Sequence, residues 1–292
     1  MRGLVTGAGG LIGGRLAYLL TFRGFSVVAG RHNEPPPAEI PTISVDVTSA
    51  ASREAALTAV SPDAVLHAAA FAGAADCERR PEEAFALNAR AAGDLAALCR
   101  SRGIRFVAVS TDLVLAGDRP FADESEPARP LMVYGRTKLQ GEEAVRAAFP
   151  EAAVVRLPLM VGRGHGPRAT GSEAIAWALR RGRPMPLFTD EYRTPVDPES
   201  VVPALAALLE GRGRGLFHLG GPERVSRYEL GQRTARVFGL PESLLAPVSA
   251  ETHLGPPRPR DTSLDSARAR HELGYAPRPL DEALQEGRLR AG

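Results

Sequence analysis

Lysine is almost missing from this 292-residue chain: of 36 basic side chains one, Lys138, is lysine, and every other is arginine. Arginine is a planar fork that stays charged, whereas lysine is a compact ammonium on a flexible stem. A chain that meets its other needs for a cation with arginine, yet keeps a lysine at one position, points to a need for an ammonium there. Cysteine is scarce too. Cys77 and Cys99 form no Cys-x-x-Cys pair, which argues against a disulfide framework and implies a reducing, cytoplasmic setting. No apolar run reaches the ~18 residues of a membrane helix. The first residues lead directly into a strand rather than a leader peptide. The formal net charge is only +2, with acids interleaved among the arginines, so neither nucleic acid nor a membrane is expected as a partner. His32, His67, His165, His218, His253 and His271 show no close ligand spacing, and no metal is expected.

What is present reads as an α/β protein. The first half alternates short apolar strands, at 3–6, 26–29, 42–45, 64–67, 105–110 and 152–157, with helical stretches at 11–23, 52–60, 81–102 and 132–149. That rhythm predicts a doubly wound parallel sheet of the Rossmann type. The segment 31–41 carries four prolines and reads as a loop in place of a crossover helix. Beyond about residue 157 the rhythm changes. Helices are expected at 172–181, 198–210, 226–238, 264–273 and 280–289, with extended pieces at 185–188 and 215–219. Ser226 with Glu229 forms a capping-box pattern. Trp177, among apolar residues at helical spacing, reads as core. The expected organisation is a first domain over 1–160 and a smaller, partly interwoven lobe over 161–292, with part of 194–220 returning to the first domain.

The turn after the first strand, Thr6-Gly7-Ala8-Gly9-Gly10-Leu11-Ile12-Gly13, opens the first helix. Glycines at 7, 10 and 13 permit a tight turn, close approach to a pyrophosphate and packing of helix on sheet. The helix N-terminus then offers free N–H groups to the phosphates. Gly7, Gly9, Gly10, Leu11, Ile12 and Gly13 are therefore expected against a dinucleotide. The second strand ends without the acidic residue that holds the ribose of NAD. Arg31 stands there instead and suits the 2′-phosphate of NADP. NADP(H) is preferred and NAD(H) remains possible. Asp46, followed by Val47, suits either the adenine amino group or the cap of the following helix.

Ser110-Thr111-Asp112 ends the fifth strand, at the edge where open α/β sheets hold ligands. Tyr134 and Lys138 lie one helical turn apart on the next helix. The three side chains suit ketone reduction. Thr111 orients the carbonyl, Tyr134 donates the proton, and Lys138 lowers the tyrosine pKa from its usual value near ~10 while bonding the nicotinamide ribose.

With these residues in place, the chain resembles the extended short-chain dehydrogenase/reductases, and within them the dTDP-4-dehydrorhamnose reductase group. The resemblance rests on Gly7/Gly10/Gly13, on His67-Ala68-Ala69-Ala70, on Asp76-Cys77-Glu78 followed by Asn88, and on Ser110 to Gly117. It continues through Pro130 to Lys138 and Arg258 to Asp265. It implies an NADP-dependent oxidoreductase acting on a nucleotide-activated 4-keto-6-deoxysugar, as a monomer or homodimer. By position it implies that Thr111, Tyr134 and Lys138 are catalytic. It places His67, Ala68, Ala69, Ala70, Ser110 and Leu157 along the cofactor cleft and has Asn88 supporting the lysine. Leu113, Arg193, Arg258 and Arg260 are implied at the substrate, the arginines on its phosphates. Leu113 and Leu115 depart from the group's aromatic residues, and Arg15 stands where some members carry a metal-linked glutamate. Two other readings remain open: a sugar-nucleotide epimerase, and a binding subunit like the regulatory subunit of methionine adenosyltransferase.

Overall fold

A computed structural model describes residues 1–166, 168–252 and 257–289; His253 therefore lies outside the described residues. The sheet is built from β1 (Arg2–Thr6), β2 (Ser26–Arg31), β3 (Thr42–Ser44), β4 (Ala64–His67), β5 (Arg105–Thr111) and β6 (Ala153–Leu157). Two short pieces, β7 (Met185–Phe188) and β8 (Tyr192–Arg193), precede β9 (Gly215–His218), which joins the main sheet; β10 (Val225–Ser226) and β11 (Leu245–Val248) follow. Among the described residues the main sheet has seven parallel strands in the order β3-β2-β1-β4-β5-β6-β9. Between β1 and β4 the strand order reverses, leaving a crevice at the carboxyl ends where such sheets bind ligands.

The strands alternate, as a pleat requires. Val5, Val107 and Val155 face one helical layer, and Leu4, Phe106 and Val154 face the other. The helices are α1 (Gly13–Thr21), α2 (Ala50–Val60), α3 (Ala74–Arg79), α4 (Pro81–Phe85), α5 (Ala91–Ser101), α6 (Val133–Ala148), α7 (Gly171–Arg180), α8 (Pro198–Leu209), α9 (Arg227–Phe238), α10 (Ala267–Leu273) and α11 (Leu280–Leu289). Helices α1 and α8 contribute to the first layer, α2 and α5 to the second. A separate apolar cluster joins α7, α9, α11, β7 and β11.

Several elements differ from expectation. The first helix starts at Gly13 because Gly7 to Ile12 are spent on the turn, where Gly10 N–H donates to Gly7 O at 2.9 Å. The expected helix over 81–102 is interrupted by a π turn at Ala86–Arg90, which carries Asn88. Leu264 does not start α10; it is buried and bridges to Ala122 in a parallel backbone contact. Trp177 is 42% exposed, because α7 buries Ile175, Ala176 and Leu179 and turns residue 177 outward. The Ser226–Glu229 capping box forms as read, with Glu229 N–H to Ser226 Oγ at 3.0 Å and Ser226 N–H to Glu229 Oε2 at 2.6 Å. Among the described residues no helix is long and apolar enough to cross a membrane.

Candidate active site

The glycine turn is as tight as its spacing demands. Gly7 has φ of +71°, and a Cβ there would stand 2.5 Å from Ala69 N. Thus β1 and the segment after β4 meet backbone to backbone at the crevice. The first helical turn of α1 follows at once, and a helix start offers N–H groups that no helical carbonyl takes. A segment not foreseen also lies over the turn: His165 N–H donates to Leu11 O at 2.9 Å, and the His165 ring contacts Pro35 O at 3.1 Å.

The adenine side is partly rearranged from expectation. Arg31 is exposed at the end of β2. Asp46 does not cap α2; Ser49 does, accepting from Ser52 N–H. Asp46 Oδ1 accepts from Thr48 Oγ1 at 2.6 Å and from Thr48 N–H at 2.9 Å, and these bonds hold its carboxyl below the usual range. Val47 is buried. His67 is also not a surface of the cleft: its ring is 1% exposed, bonded through Nδ1 to Thr6 Oγ1 at 2.8 Å and stacked on Phe106. Burial, with the nearby Lys138 charge, pushes His67 down to about 3, so the imidazole is neutral.

At the end of β5, Thr111 is buried and its hydroxyl donates to Asp112 Oδ1 at 3.1 Å. Asp112 Oδ2 in turn accepts from Thr262 at 2.6 Å. Tyr134 stands near enough to Thr111 and Asp112 for both to act on its hydroxyl. Lys138, 6% exposed, donates from Nζ to Val109 O at 2.7 Å. The three groups read from the sequence are thus gathered at one strand end.

The electrostatics correct one expectation. Tyr134 is not acidified: burial and then the Asp112 charge push its hydroxyl well above the ordinary range. Burial lowers Lys138 itself to about 8, with Glu142 opposing that fall.

Asn88 acts on the neighbours of Lys138. Its Oδ1 accepts from Phe71 N–H at 2.8 Å, and its Nδ2 donates to Thr137 Oγ1 at 3.0 Å and Phe71 O at 3.2 Å. It ties the segment after β4 to α6 rather than touching the lysine. Leu157 is buried at the end of β6, and Leu113 is part-exposed.

The arginines divide. Arg193 is 5% exposed and spends its donors internally, on Tyr192 O at 2.6 Å and Pro259 O at 3.2 Å, with Asp112 Oδ2 at 3.5 Å. Arg258 pairs with Glu191, which is fully buried. Arg260 pairs with Glu251 at 3.0 Å on the surface. The residue missed from the sequence is Arg227, at the start of α9. It sits among Arg193, Glu191, Arg258 and Asp112, and burial, then Arg193, push it down to about 10. Three guanidinium groups there face two carboxylates. The only local signal was its place one residue after the Ser226 cap.

Arg15 is buried and paired with Glu199. Among the described residues no group of three or more His, Cys, Asp and Glu is arranged to hold a metal ion.

The sheet order, the glycine turn at its switch point and the threonine–tyrosine–lysine end of β5 and α6 together define a Rossmann-type, dinucleotide-binding protein of the short-chain dehydrogenase/reductase class. More narrowly, the chain belongs to the family described as the RmlD substrate binding domain, whose model matches residues 1–288. It is 35% identical to a probable low-salt glycan biosynthesis reductase, Agl14, of Haloferax volcanii, over 97% of this chain and 96% of that one. It is 31% identical to the dTDP-4-dehydrorhamnose reductase of Mycolicibacterium smegmatis, over 97% and 84%. The fold superposes on a hypothetical dTDP-4-dehydrorhamnose reductase from Sulfolobus tokodaii with a TM-score of 0.85 at 28% identity, covering 97% of this chain and 99% of that one.

Proposed function

We propose that the protein is an NADPH-dependent reductase of a nucleotide-activated 4-keto-6-deoxysugar. The observation that carries this reading is the gathering of Thr111, Tyr134 and the buried ammonium of the one lysine in the chain at the end of β5. The dinucleotide fits the crevice: the Gly7 cradle would be filled by a Cβ, and α1 starts directly after the glycine turn. Arg31 suits a 2′-phosphate. The chemistry drawn from NADPH is a hydride.

Thr111, turning its hydroxyl from Asp112, hydrogen-bonds the substrate carbonyl oxygen without giving up its proton and fixes the direction of the carbonyl. As that oxygen gains charge, Tyr134 transfers its proton to it. A phenol held above its ordinary pKa stays fully protonated at neutral pH, and an alkoxide is basic enough to take the proton. The Lys138 ammonium then stabilises the tyrosinate left behind. Arg227 and Arg258 give the adjoining lobe a cationic surface for a diphosphate.

Oxidation of NADPH, measured across 4-keto-6-deoxysugar nucleotides including dTDP-4-keto-L-rhamnose, tests the proposal. Turnover on one of them is expected. Silence across the panel, with a stoichiometric protein partner in a pull-down, would replace the reductase by a binding subunit. Purification with tightly held NAD would favour an epimerase.

A further inference from the structure

Behind the catalytic strand end lies a row of buried polar side chains that the reaction does not use. Sheet register pairs Ser110 with Arg156, and Arg156 with His218. Three neighbouring strands therefore present these residues side by side, one position before Thr111 and Leu157. All three, and Glu142, are almost fully buried. Glu142 is the point where they meet α6. Its Oε1 accepts from Ser110 Oγ at 2.5 Å and Arg156 Nε at 2.9 Å, and its Oε2 accepts from Arg156 Nη2 at 2.8 Å. Arg156 Nη1 lies 3.3 Å from His218 Nε2, and His218 Nδ1 lies 3.0 Å from Ala122 O. Burial, then Arg156, push His218 down to about 4. The imidazole is therefore neutral, donating to Ala122 and accepting from Arg156.

Glu142 follows Lys138 by four residues, as Lys138 follows Tyr134, so the three share one face of α6. We propose that Glu142, held rigid by Arg156 and Ser110, is a positioning residue that keeps the buried Lys138 ammonium charged and in place. A buried ion pair adds little net stability over apolar residues of the same shape, so stability alone is a poor reason for this one. A buried ammonium, in contrast, needs a counter-charge. A free carboxylate one turn away would swing onto the lysine and draw it from the cleft. One bonded from three directions supplies the field without moving. The other groups facing this position are Tyr134 on the same helix and neutral His67 from β4, with Arg156 behind the carboxylate. Glu142 is then the one fixed anion among them, and it opposes the desolvation of Lys138.

The consequence for turnover rests on the catalytic reading above; the consequence for the charge of Lys138 does not. The single lysine makes the second directly measurable. In the full chain labelled with [13Cε]lysine, Lys138 gives one resonance whose shift reports its protonation. In Glu142→Gln the midpoint should fall by about one pH unit or more, a tenfold loss of proton affinity. Because that variant leaves a buried guanidinium unpaired, Glu142→Gln/Arg156→Met, which removes both charges, is measured beside it and should show a fall in the same direction, smaller because the opposing guanidinium is gone too. The alkaline limb of NADPH oxidation should move by the same amount. An unchanged Lys138 midpoint in the folded double variant overturns the proposal. A lowered midpoint in an enzyme that never turns over supports the positioning role and removes the catalytic reading.

Discussion

Two charge clusters, one buried and one part-exposed, flank the candidate reaction centre, and they are built on opposite plans. In the first, Ser110, Glu142, Arg156 and His218 come from three adjacent strands and one helix, and the one carboxylate and one guanidinium satisfy each other. In the second, Asp112, Glu191, Arg193, Arg227 and Arg258 come from loops, short strands and a helix start, and cations exceed carboxylates by one. A balanced cluster has no net charge left for an incoming ligand and serves to hold its own groups, and the neighbouring Lys138, in place. An unbalanced one that reaches solvent keeps affinity for an anion. The difference separates the part of the site that positions from the part proposed to bind.

The largest effect is expected between the clusters. Tyr134→Phe should lower kcat by about 10²- to 10⁴-fold while leaving the melting temperature and NADPH affinity near those of the parent. A loss confined to KM would show that the tyrosine binds rather than donates. Lys138→Arg should also lose most activity with the fold intact, since the larger planar guanidinium keeps the charge but differs in shape and reach from the compact ammonium bonded to Val109 O. Normal turnover there would make the solitary lysine an accident of composition.

The balanced cluster should fail through stability. Arg156→Met leaves Glu142 as a buried unpaired anion and should cost about 3–5 kcal/mol in denaturant unfolding. The unbalanced cluster should fail through affinity. Arg227→Met should raise KM for the nucleotide sugar about tenfold, the size of one charge-assisted bond, with kcat nearly unchanged. If Arg227→Met unfolds the protein and Arg156→Met does not, the division between the clusters is wrong.

Acidity gives a further contrast. The ammonium at Lys138 is needed for turnover, so activity should hold below about 8 and decline above it. Stability responds in the other direction. Because the folded pKa of Lys138 lies below the ordinary 10.5, the unfolded chain binds more protons between the two values, and this group's contribution to stability rises with pH across that window. Comparison with Lys138→Met by denaturant unfolding at pH 7 and 10 isolates that contribution. The smallest effect belongs to Arg260. It is paired at the surface with Glu251, and Arg260→Ala should alter stability by less than ~0.5 kcal/mol and KM hardly at all.

How much of this was legible depended on how far each signal travels along the chain. The glycine turn and the Ser226 capping box are local, and both formed as read. Thr111, Tyr134 and Lys138 lie within a short segment whose strand and helix were also legible, so their meeting followed from it. Arg193 and Arg260 could not be sorted by the same reasoning. One is consumed by carbonyls at Tyr192 and Pro259, the other by Glu251, and these partners are fixed by how β8 and the segment before Asp261 lie together. Likewise β8 pairs with β10 and β7 with β11 across intervals that no local pattern spans. The expected lowering of the Tyr134 pKa failed for a related reason: one helical turn gave its spacing from Lys138, but not the burial and the Asp112 charge that act on the hydroxyl.

Taken alone, the sequence determined the α/β class, the dinucleotide turn and the threonine–tyrosine–lysine set, because each is encoded by spacing within one or two elements. The tertiary structure decided which arginines are spent and which stay open, where the lysine points, and what opposes its loss of charge. Those outcomes depend on desolvation and on partners brought in from distant parts of the chain, and a one-dimensional pattern carries neither. The lone lysine marked the place where an ammonium is kept, and packing against β5, β6 and β9 showed what surrounds it.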